Sequence, residues 1–359
     1  MVLTLLHRLS VATPCKKWVS FGGVMAGRGP HEFTGGCSVR RFVVAVAGLA
    51  MVATACGSPA GSGGGKLQVD ASVAPIVDIV RNVAGNAADV HGLIPEGVDS
   101  HTFEPTSDTA RTLSEADLIF LNGLDLEDPT LALAQANRKD SAVIYELGPN
   151  ALTPGQYLYD FSFPSSGGHP NPHLWMDVAN AITYTKLIQQ QLDKADPANK
   201  TTYDANAKAY LATLDTLNGA VQKAVDTIPP ANRLLLTYHD SFAYFAAHYG
   251  MTVIGAIQPV NFAQPSAQEV AAIIDQIRAN HLPAIFGSEV FPSPVLAQIA
   301  ADTAAKYEAS LRDDDLPGNP GDPQHSYVGL ILYDVRTIVT DLGGDPSALD
   351  AVHFANTYD

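Results

Sequence analysis

Cysteine is scarce in this sequence, and its scarcity excludes whole classes of site. Only three cysteines occur among the 359 residues, namely Cys15, Cys37 and Cys56. None follows residue 56, so the rest of the chain can form neither an internal disulfide nor a thiolate metal site. Metal binding there would depend on nitrogen and oxygen ligands.

Basic residues are also few. The chain has 21 Lys and Arg against 37 Asp and Glu, a formal net charge of −16. Nucleic-acid-binding proteins usually present a basic face, so we expect no nucleic-acid partner. The composition, 46% hydrophobic and 16% charged residues, is that of a globular protein with a sizeable core, and the length allows two domains.

The sequence has no apolar run long enough to be a comfortable membrane span. The stretch RRFVVAVAGLAMVATAC, residues 40–56, places about fourteen apolar and small residues after two arginines, which is typical of an export signal. We predict that residues 1–55 are a signal peptide with an upstream extension. The ending ATAC resembles a bacterial lipobox with Cys56 as the lipidated residue; the alternative is an ordinary signal peptide with an incidental cysteine. Residues 56–66 would then be the lipidated cysteine and a flexible Gly/Ser tether.

Short apolar runs alternate with helical patterns along the rest of the chain. DLIFLNG and SAVIYEL are continuous apolar runs, as in strands buried on both faces, and SDTARTLSEA predicts a helix with Ser107 or Asp108 as its N-cap. The alternation resumes after residue 230 with RLLLTYH, MTVIGAI and AIFGSE. This pattern predicts an α/β fold of two lobes, each with a parallel sheet flanked by helices.

One long helix is predicted between the two halves. In residues 197–228, apolar side chains such as Tyr203, Tyr210 and Leu217 recur at helical spacing, and two prolines follow. We therefore predict an N-terminal lobe at 67–195, a long rigid linking helix at 196–229 and a C-terminal lobe at 230–359.

Three histidines occupy positions where a ligand site is expected. His101 lies in PEGVDSHTFEPTSD after a predicted strand, and His173 lies in PNPHLWMD just before a helix. His239 ends the strand RLLLTYH, at the turn into a helix predicted to begin at Asp240. Ligands of open α/β sheets bind outside the carboxyl ends of the strands, so the three side chains can converge on the cleft between the lobes. Neutral imidazole is the commonest side-chain ligand of ions such as Zn²⁺.

A carboxylate from the second half would complete such a site. The loop EASLRDDDLPGNPGD carries Asp313, Asp314 and Asp315, and one of them would give a shell of three nitrogens and one oxygen. Glu289, at the end of AIFGSE, is the alternative fourth ligand, or an acceptor that orients an imidazole. The residues alone leave this choice open.

Other histidines are interpreted as ordinary surface or hydrogen-bonded residues. This interpretation applies to His91, His281, His325 and His353. His169, four residues before His173, is a candidate for a peripheral metal contact.

Five stretches resemble the cluster A-I solute-binding proteins, which are the metal-binding lipoproteins of bacterial zinc and manganese ABC importers. They occur in the family's order within residues 67–342 and are IPEGVDSHTFEPTSD, ADLIFLNGLDLE, NPHLWMD, TYHDSFAYFAAHYGM and LPAIFGSEVF. The resemblance implies two α/β lobes joined by one long rigid helix, with the metal site in the interlobe cleft.

The resemblance also implies the ligands. It places the first three on His101, His173 and His239. Aligned on the leucine that follows the aspartate run, it places the fourth on Asp314, with the neighbouring Asp313 as the alternative.

The expected metal follows from the third ligand. That position resembles zinc-binding members, which typically have histidine there, and not manganese-binding members, which have glutamate. An imidazole-rich site of low coordination number suits Zn²⁺, whereas Mn²⁺ prefers more oxygen ligands. We expect Zn²⁺, with Mn²⁺ as the alternative. Unlike many zinc-binding members, the chain has no long histidine-rich loop before NPHLW.

The function implied by the resemblance is transport and not catalysis. The chain would be an exported, monomeric protein, anchored through lipid on Cys56 to the outer face of the bacterial cytoplasmic membrane, that captures Zn²⁺ and delivers it to an ABC-type permease. One alternative is a zinc-dependent hydrolase with Glu289 as general base, although no HExxH motif is present. Another is a surface adhesin whose metal is structural.

Overall fold

The computed structural model of the protein describes residues 65–258, 265–288 and 294–358. The predicted signal segment, Cys56 and the candidate ligand Glu289 lie outside these residues. No helix in the described part of the chain is long and apolar enough to cross a membrane.

The strands of the described residues form two four-stranded sheets. The strands are β1 (Leu67–Ala71), β2 (Ala88–Gly92), β3 (Leu118–Leu121), β4 (Val143–Glu146), β5 (Leu234–Thr237), β6 (Thr252–Ala256), β7 (Ala284–Ser288) and β8 (Lys306–Leu311). The sheet orders are β2-β1-β3-β4 and β6-β5-β7-β8, and neighbouring strands are parallel. The two halves therefore share one topology, and the predicted α/β fold of two lobes is confirmed. We call the β1–β4 half the first lobe and the β5–β8 half the second lobe.

Helices connect and cover the strands. They are α1 (Ala74–Ala84), α2 (Ser107–Glu115), α3 (Asp128–Asn137), α4 (Leu147–Ala151), α5 (Val178–Ala195), α6 (Lys200–Asp226), α7 (Ala243–Tyr249), α8 (Ala267–Asn280), α9 (Pro294–Thr303) and α10 (Tyr327–Asp341). The 27-residue α6 is the predicted long helix between the halves. It packs along α1 and α5 of the first lobe and along α10, which follows the second sheet.

The main core lies where these long helices meet. Trp175, Tyr184, Tyr203 and Tyr327 are fully buried there, together with aliphatic side chains from α1, α5, α6 and α10. Burying a large aromatic side chain contributes on the order of 2–3 kcal/mol of transfer free energy, so this core fixes α10 against the first lobe.

Two helix starts differ from the sequence prediction. The N-cap of α2 is Thr106 and not Ser107 or Asp108, because Thr106 and Thr109 exchange side-chain to backbone hydrogen bonds in a capping box. Helix α7 begins at Ala243 and not at Asp240. The carboxylate of Asp240 accepts the backbone N–H of Ser162 (2.8 Å), and its backbone carbonyl accepts the side-chain amide N–H of Asn171 (2.6 Å). Asp240 therefore anchors the loop that carries these two residues and does not begin the helix.

Candidate metal centre

The structure brings the three predicted histidines together. His101 lies on the loop between β2 and α2, His173 on the loop before α5, and His239 just after β5. The Nε2 atom of His173 lies 3.2 Å from Nε2 of His101 and 2.9 Å from Nε2 of His239. In tetrahedral zinc sites with bonds of 2.0–2.1 Å, ligand atoms lie roughly 3.3 Å apart. The cluster therefore has nearly the dimensions of a metal's ligand shell.

Amide side chains orient two of the imidazoles. Nδ1 of His173 lies 2.8 Å from Oδ1 of Asn171, and Nδ1 of His239 lies 2.6 Å from Oε1 of Gln258. An amide oxygen only accepts, so each Nδ1 carries the proton and donates it. In the neutral form of each ring, Nε2 then has a lone pair directed into the cluster, which is the tautomer that binds a metal.

Asn171 and Gln258 were not predicted from the sequence. Asn171 stands two residues before His173, and this proximity was the available signal. Gln258 lies 19 residues from His239 and reaches it through the pairing of β5 with β6, for which the local sequence gives no signal.

The three aspartates after β8 have different surroundings, although all three are buried. Both carboxylate oxygens of Asp315 accept the backbone N–H of Gly97, at 2.8 and 2.9 Å. Oδ2 of Asp314 accepts the backbone N–H of Ser100 at 3.0 Å. These bonds attach the aspartate loop to the loop that carries His101.

Asp313 is the aspartate directed at the histidines. Its Oδ2 lies 3.7 Å from Nε2 of His239, while Oδ1 accepts the backbone N–H of Asp314. Within the described part of the chain, Oδ2 of Asp313 and Oδ1 of Asp314 are buried without a hydrogen-bond partner. A buried carboxylate oxygen without a donor is costly, and a cation beside it would remove that cost.

Burial sets the protonation of the histidines. It lowers the pKa of His101 and of His173 well below the ordinary value, so both are neutral and able to bind a metal near pH 7. Burial also acts to lower the pKa of His239, but the charge of Asp313, the hydrogen bond to Gln258 and the charge of Asp314 raise it overall. Burial and the charge of Asp313 raise the pKa of Asp314 to about 7. The centre thus combines two neutral imidazoles with a third, that of His239, whose pKa the neighbouring aspartates raise.

Trp175 fixes the two sides of the centre relative to each other. Its ring centroid lies 5.2 Å from that of His173, and its indole N–H donates to the carbonyl of Asp313 at 2.9 Å. The side chain is 0% exposed, and its own carbonyl accepts the hydroxyl of Tyr327 at 2.7 Å. The buried indole therefore connects the loop of His173 with the aspartate loop.

Hydrogen bonds also hold the second lobe against the first around the centre. His248 on α7 pairs with Asp177, the N-cap of α5, at 2.6 Å between Nδ1 and Oδ1. The hydroxyl of Tyr244 donates to the carbonyl of Asn171 at 3.1 Å. The candidate metal centre therefore lies between two lobes that contact each other directly.

An open cavity of about 230 Å³ leads to His101 and is also lined by Phe163, His169 and Asp125. His169 does not join the three clustered histidines. Its Nδ1 lies 2.6 Å from Oδ2 of Asp125, and both side chains are exposed. His169 is thus at the entrance of the cleft, and Glu289 lies outside the described residues.

A buried hydrogen-bond network anchors the loop of His173. Asn122, just after β3, donates through its side-chain amide to the carbonyl of Pro172 at 2.9 Å and accepts the hydroxyl of Tyr184 at 2.7 Å. The backbone N–H of Asn122 donates to Oε1 of Glu127 at 2.6 Å. Burial raises the pKa of Glu127 from 4.5 to about 8, despite these donors.

This shift predicts a pH-dependent effect of Glu127→Gln. Because the folded-state pKa of Glu127 is raised, its contribution to stability is fully present below about pH 4.5 and is lost as the pH rises through 8. Glutamine stays neutral and keeps an oxygen acceptor. Relative to the wild type, the variant should therefore gain unfolding free energy between pH 5 and pH 9, on the order of a few kcal/mol.

Urea unfolding of the metal-free proteins at pH 5, 7 and 9 measures this gain. Glu104→Gln, a change at an exposed carboxylate, is the control and should show no such trend. A constant difference between Glu127→Gln and the wild type across this pH range would contradict the assignment.

Comparison with known proteins agrees with the geometry. Residues 69–341 match the family described as the zinc-uptake complex component A, periplasmic. The manganese ABC transporter substrate-binding lipoprotein PsaA of Streptococcus mitis is 28% identical over 303 residues, covering 84% of this chain and 97% of the relative. The iron-binding protein YfeA of Yersinia pestis is 31% identical over 281 residues, covering 77% and 87%.

Solved structures share the fold. The periplasmic zinc-binding protein TroA from Treponema pallidum superposes with a TM-score of 0.71 at 28% identity, covering 77% of this chain and 99% of that one. The manganese-bound periplasmic metal-binding protein from Candidatus Liberibacter asiaticus gives a TM-score of 0.68 at 28% identity, covering 77% and 100%.

Proposed function

Because this chain belongs to the family of periplasmic zinc-uptake components, and is thus a metal-binding component of an ABC importer, we propose that its cargo is Zn²⁺, which it delivers to an ABC-type permease. Manganese and iron appear in the names of relatives, so membership of the family does not by itself define the metal. The proposal of zinc has to rest on the donor atoms of this chain.

The observation that carries the proposal is the convergence of three imidazole nitrogens on one point, with carboxylate oxygens beside them. The ligand atoms of His101, His173 and His239 all lie within 4.8 Å of one another. A shell of three nitrogens and one oxygen is a four-coordinate site of the kind zinc prefers, whereas Mn²⁺ and Ca²⁺ prefer more oxygen ligands.

We propose that these three histidines bind the ion together with one carboxylate of the aspartate loop. The family resemblance favours Asp314 as the fourth ligand. The contacts favour Asp313, because its Oδ2 is the carboxylate oxygen that lies 3.7 Å from His239, while Asp314 uses one oxygen to bind Ser100.

Titration of the metal-stripped protein tests the choice of metal and the transport role. Calorimetry with Zn²⁺ and with Mn²⁺ should show a tight one-to-one zinc site and weaker manganese binding. The metal-free protein should stay folded, since a transport receptor must release its cargo, whereas a structural site unfolds on chelation. Manganese binding tighter than zinc binding would contradict the choice of metal without affecting the transport role.

The fourth ligand is identified by comparing two matched variants. Asp313→Ala should lower zinc affinity beyond the roughly 10–100-fold that loss of a supporting residue costs. Asp314→Ala should fall within that range, because it loosens the loop of His101 without removing a ligand. The reverse order would assign the ligand to Asp314, and no effect of either change would point to an open fourth position.

We also propose that the protein is exported and anchored to the outer face of the bacterial cytoplasmic membrane through lipid on Cys56, and that it acts as a monomer. The supporting observations are the lipobox-like sequence and relatives described as lipoproteins. A tether such as residues 56–66 would let the receptor reach the permease while remaining at the membrane.

A further inference from the structure

Asp70 is a buried carboxylate with no donor within hydrogen-bond distance in the described part of the chain. It lies in β1, opposite His91 of β2 in the register of the first sheet, and only 1% of its surface is exposed. Neither of its carboxylate oxygens has a hydrogen-bond partner among residues 65–258, 265–288 and 294–358. Buried polar atoms are nearly always paired, so two unpaired oxygens on one side chain indicate an unseen partner.

The surroundings of Asp70 define the chemistry of that partner. Nδ1 of His91 lies 3.7 Å from Oδ1 of Asp70. Both side chains line a cavity of about 130 Å³ with Arg111 and Glu115 of α2, large enough for an ion and water. Burial and the charge of Glu115 raise the pKa of Asp70 to about 7. The cavity thus offers one imidazole nitrogen and two carboxylates to a cation.

Arg111 is the basic side chain that lines this cavity, and its ion pairs are with other carboxylates. Arg111 directs Nε toward Asp108 (3.9 Å) and Nη1 toward Glu115 (3.6 Å), along the exposed face of α2. Among the described residues, the guanidinium forms ion pairs with these two exposed carboxylates and not with Asp70.

We propose that Asp70 and His91 form a second metal site, in the first lobe beneath α2, that binds a divalent transition-metal ion such as Zn²⁺. An oxygen and a nitrogen 3.7 Å apart can both reach one ion at bonds of roughly 2.0–2.1 Å with a wide angle between them. Glu115, on a flexible exposed side chain at the end of α2, and water complete the shell. The site is separate from the three-histidine centre and does not rest on the proposed function.

The second site is expected to be the weaker one. It has a single imidazole, its third ligand must change rotamer, and it opens to solvent, whereas the three-histidine centre is preformed. Preorganised ligands bind more tightly because less conformational entropy is lost.

Zinc titration of the metal-stripped full-length protein tests the proposal. The wild type should bind a second zinc ion at least about tenfold more weakly than the first. Asp70→Asn and His91→Gln should each abolish or weaken that second phase and leave the tight phase unchanged. His239→Ala should do the opposite. Asp89→Asn, which changes a half-exposed carboxylate on β2, is the matched control and should alter neither phase.

Two outcomes would overturn the second site. One is a single binding phase in the wild type. The other is a second phase that survives both Asp70→Asn and His91→Gln, since that would place the weak zinc on other surface groups. His91 is half-exposed, so its variant tests the site even if Asp70→Asn impairs folding.

Discussion

The His239→Ala variant should lose tight zinc binding while remaining folded. His239 contributes one of the three converging nitrogens and is the histidine closest to Asp313. Its removal leaves two imidazoles, both on loops of the first lobe, so the ion would no longer be bound from both lobes. The loss should exceed the roughly 10–100-fold typical of a supporting residue. Calorimetric titration with Zn²⁺ measures it.

Stability should change little, because His239 lies in the cleft and not in the apolar core. We expect the melting temperature of the metal-free variant to stay within about 2 °C of the wild type, which corresponds to roughly 1 kcal/mol for a chain of this size. His353→Ala, the same change at an exposed histidine, is the control and should bind zinc normally. Collapse of the metal-free variant, or undiminished affinity, would contradict the ligand role.

The Trp175→Ala variant should be strongly destabilised and should also bind zinc poorly. The indole is 0% exposed, contacts His173 and donates to the carbonyl of Asp313. Truncation of a buried tryptophan costs about 3–5 kcal/mol, since the cavity is only partly refilled. The aspartate loop would lose its anchor at the same time, which couples stability to metal affinity.

The more conservative Trp175→Phe separates these two effects. It keeps most of the ring packing but leaves the Asp313 carbonyl without its donor, at a cost of about 1–3 kcal/mol. Zinc affinity should still fall, roughly tenfold, because that carbonyl belongs to the proposed ligand.

Tyr203→Phe provides the comparison. Tyr203 lies on α6, away from the centre, and its hydroxyl donates to Asp196 at 2.9 Å. Loss of this hydrogen bond should lower stability and leave zinc affinity unchanged. Urea unfolding and zinc titration of all four proteins give the result. Unchanged zinc affinity in Trp175→Phe would show that the indole only fills space.

The general fold could be predicted because its central strands are unmistakable in sequence. LIFL of β3 and AIFGS of β7 are fully buried, and a strand buried on both faces has to be apolar throughout. β8 was not predicted, because KYEASL mixes exposed and half-buried residues. It lies at the edge of its sheet, where one side of the strand faces no partner.

The candidate site was predictable only as far as local position determines it. Histidines next to strand ends and helix starts could be selected, since the ends of parallel strands meet at one edge. The distinction between Asp313 and Asp314 could not be made, because adjacent residues point in different directions and loop geometry decides which one faces the histidines. Gln258 and Asp70 depend on contacts between distant strands, which a single sequence does not encode locally.

Zinc uptake by whole cells tests whether this chain captures zinc for import and whether His239 is needed for it. The source bacterium lacking this chain would be grown with little zinc and supplied with radioactive zinc, with the gene returned as wild type, His239→Ala or His353→Ala. We expect the wild type and His353→Ala, but not His239→Ala, to restore uptake at low zinc. Equal uptake with and without the wild-type chain, or full restoration by His239→Ala, would contradict it.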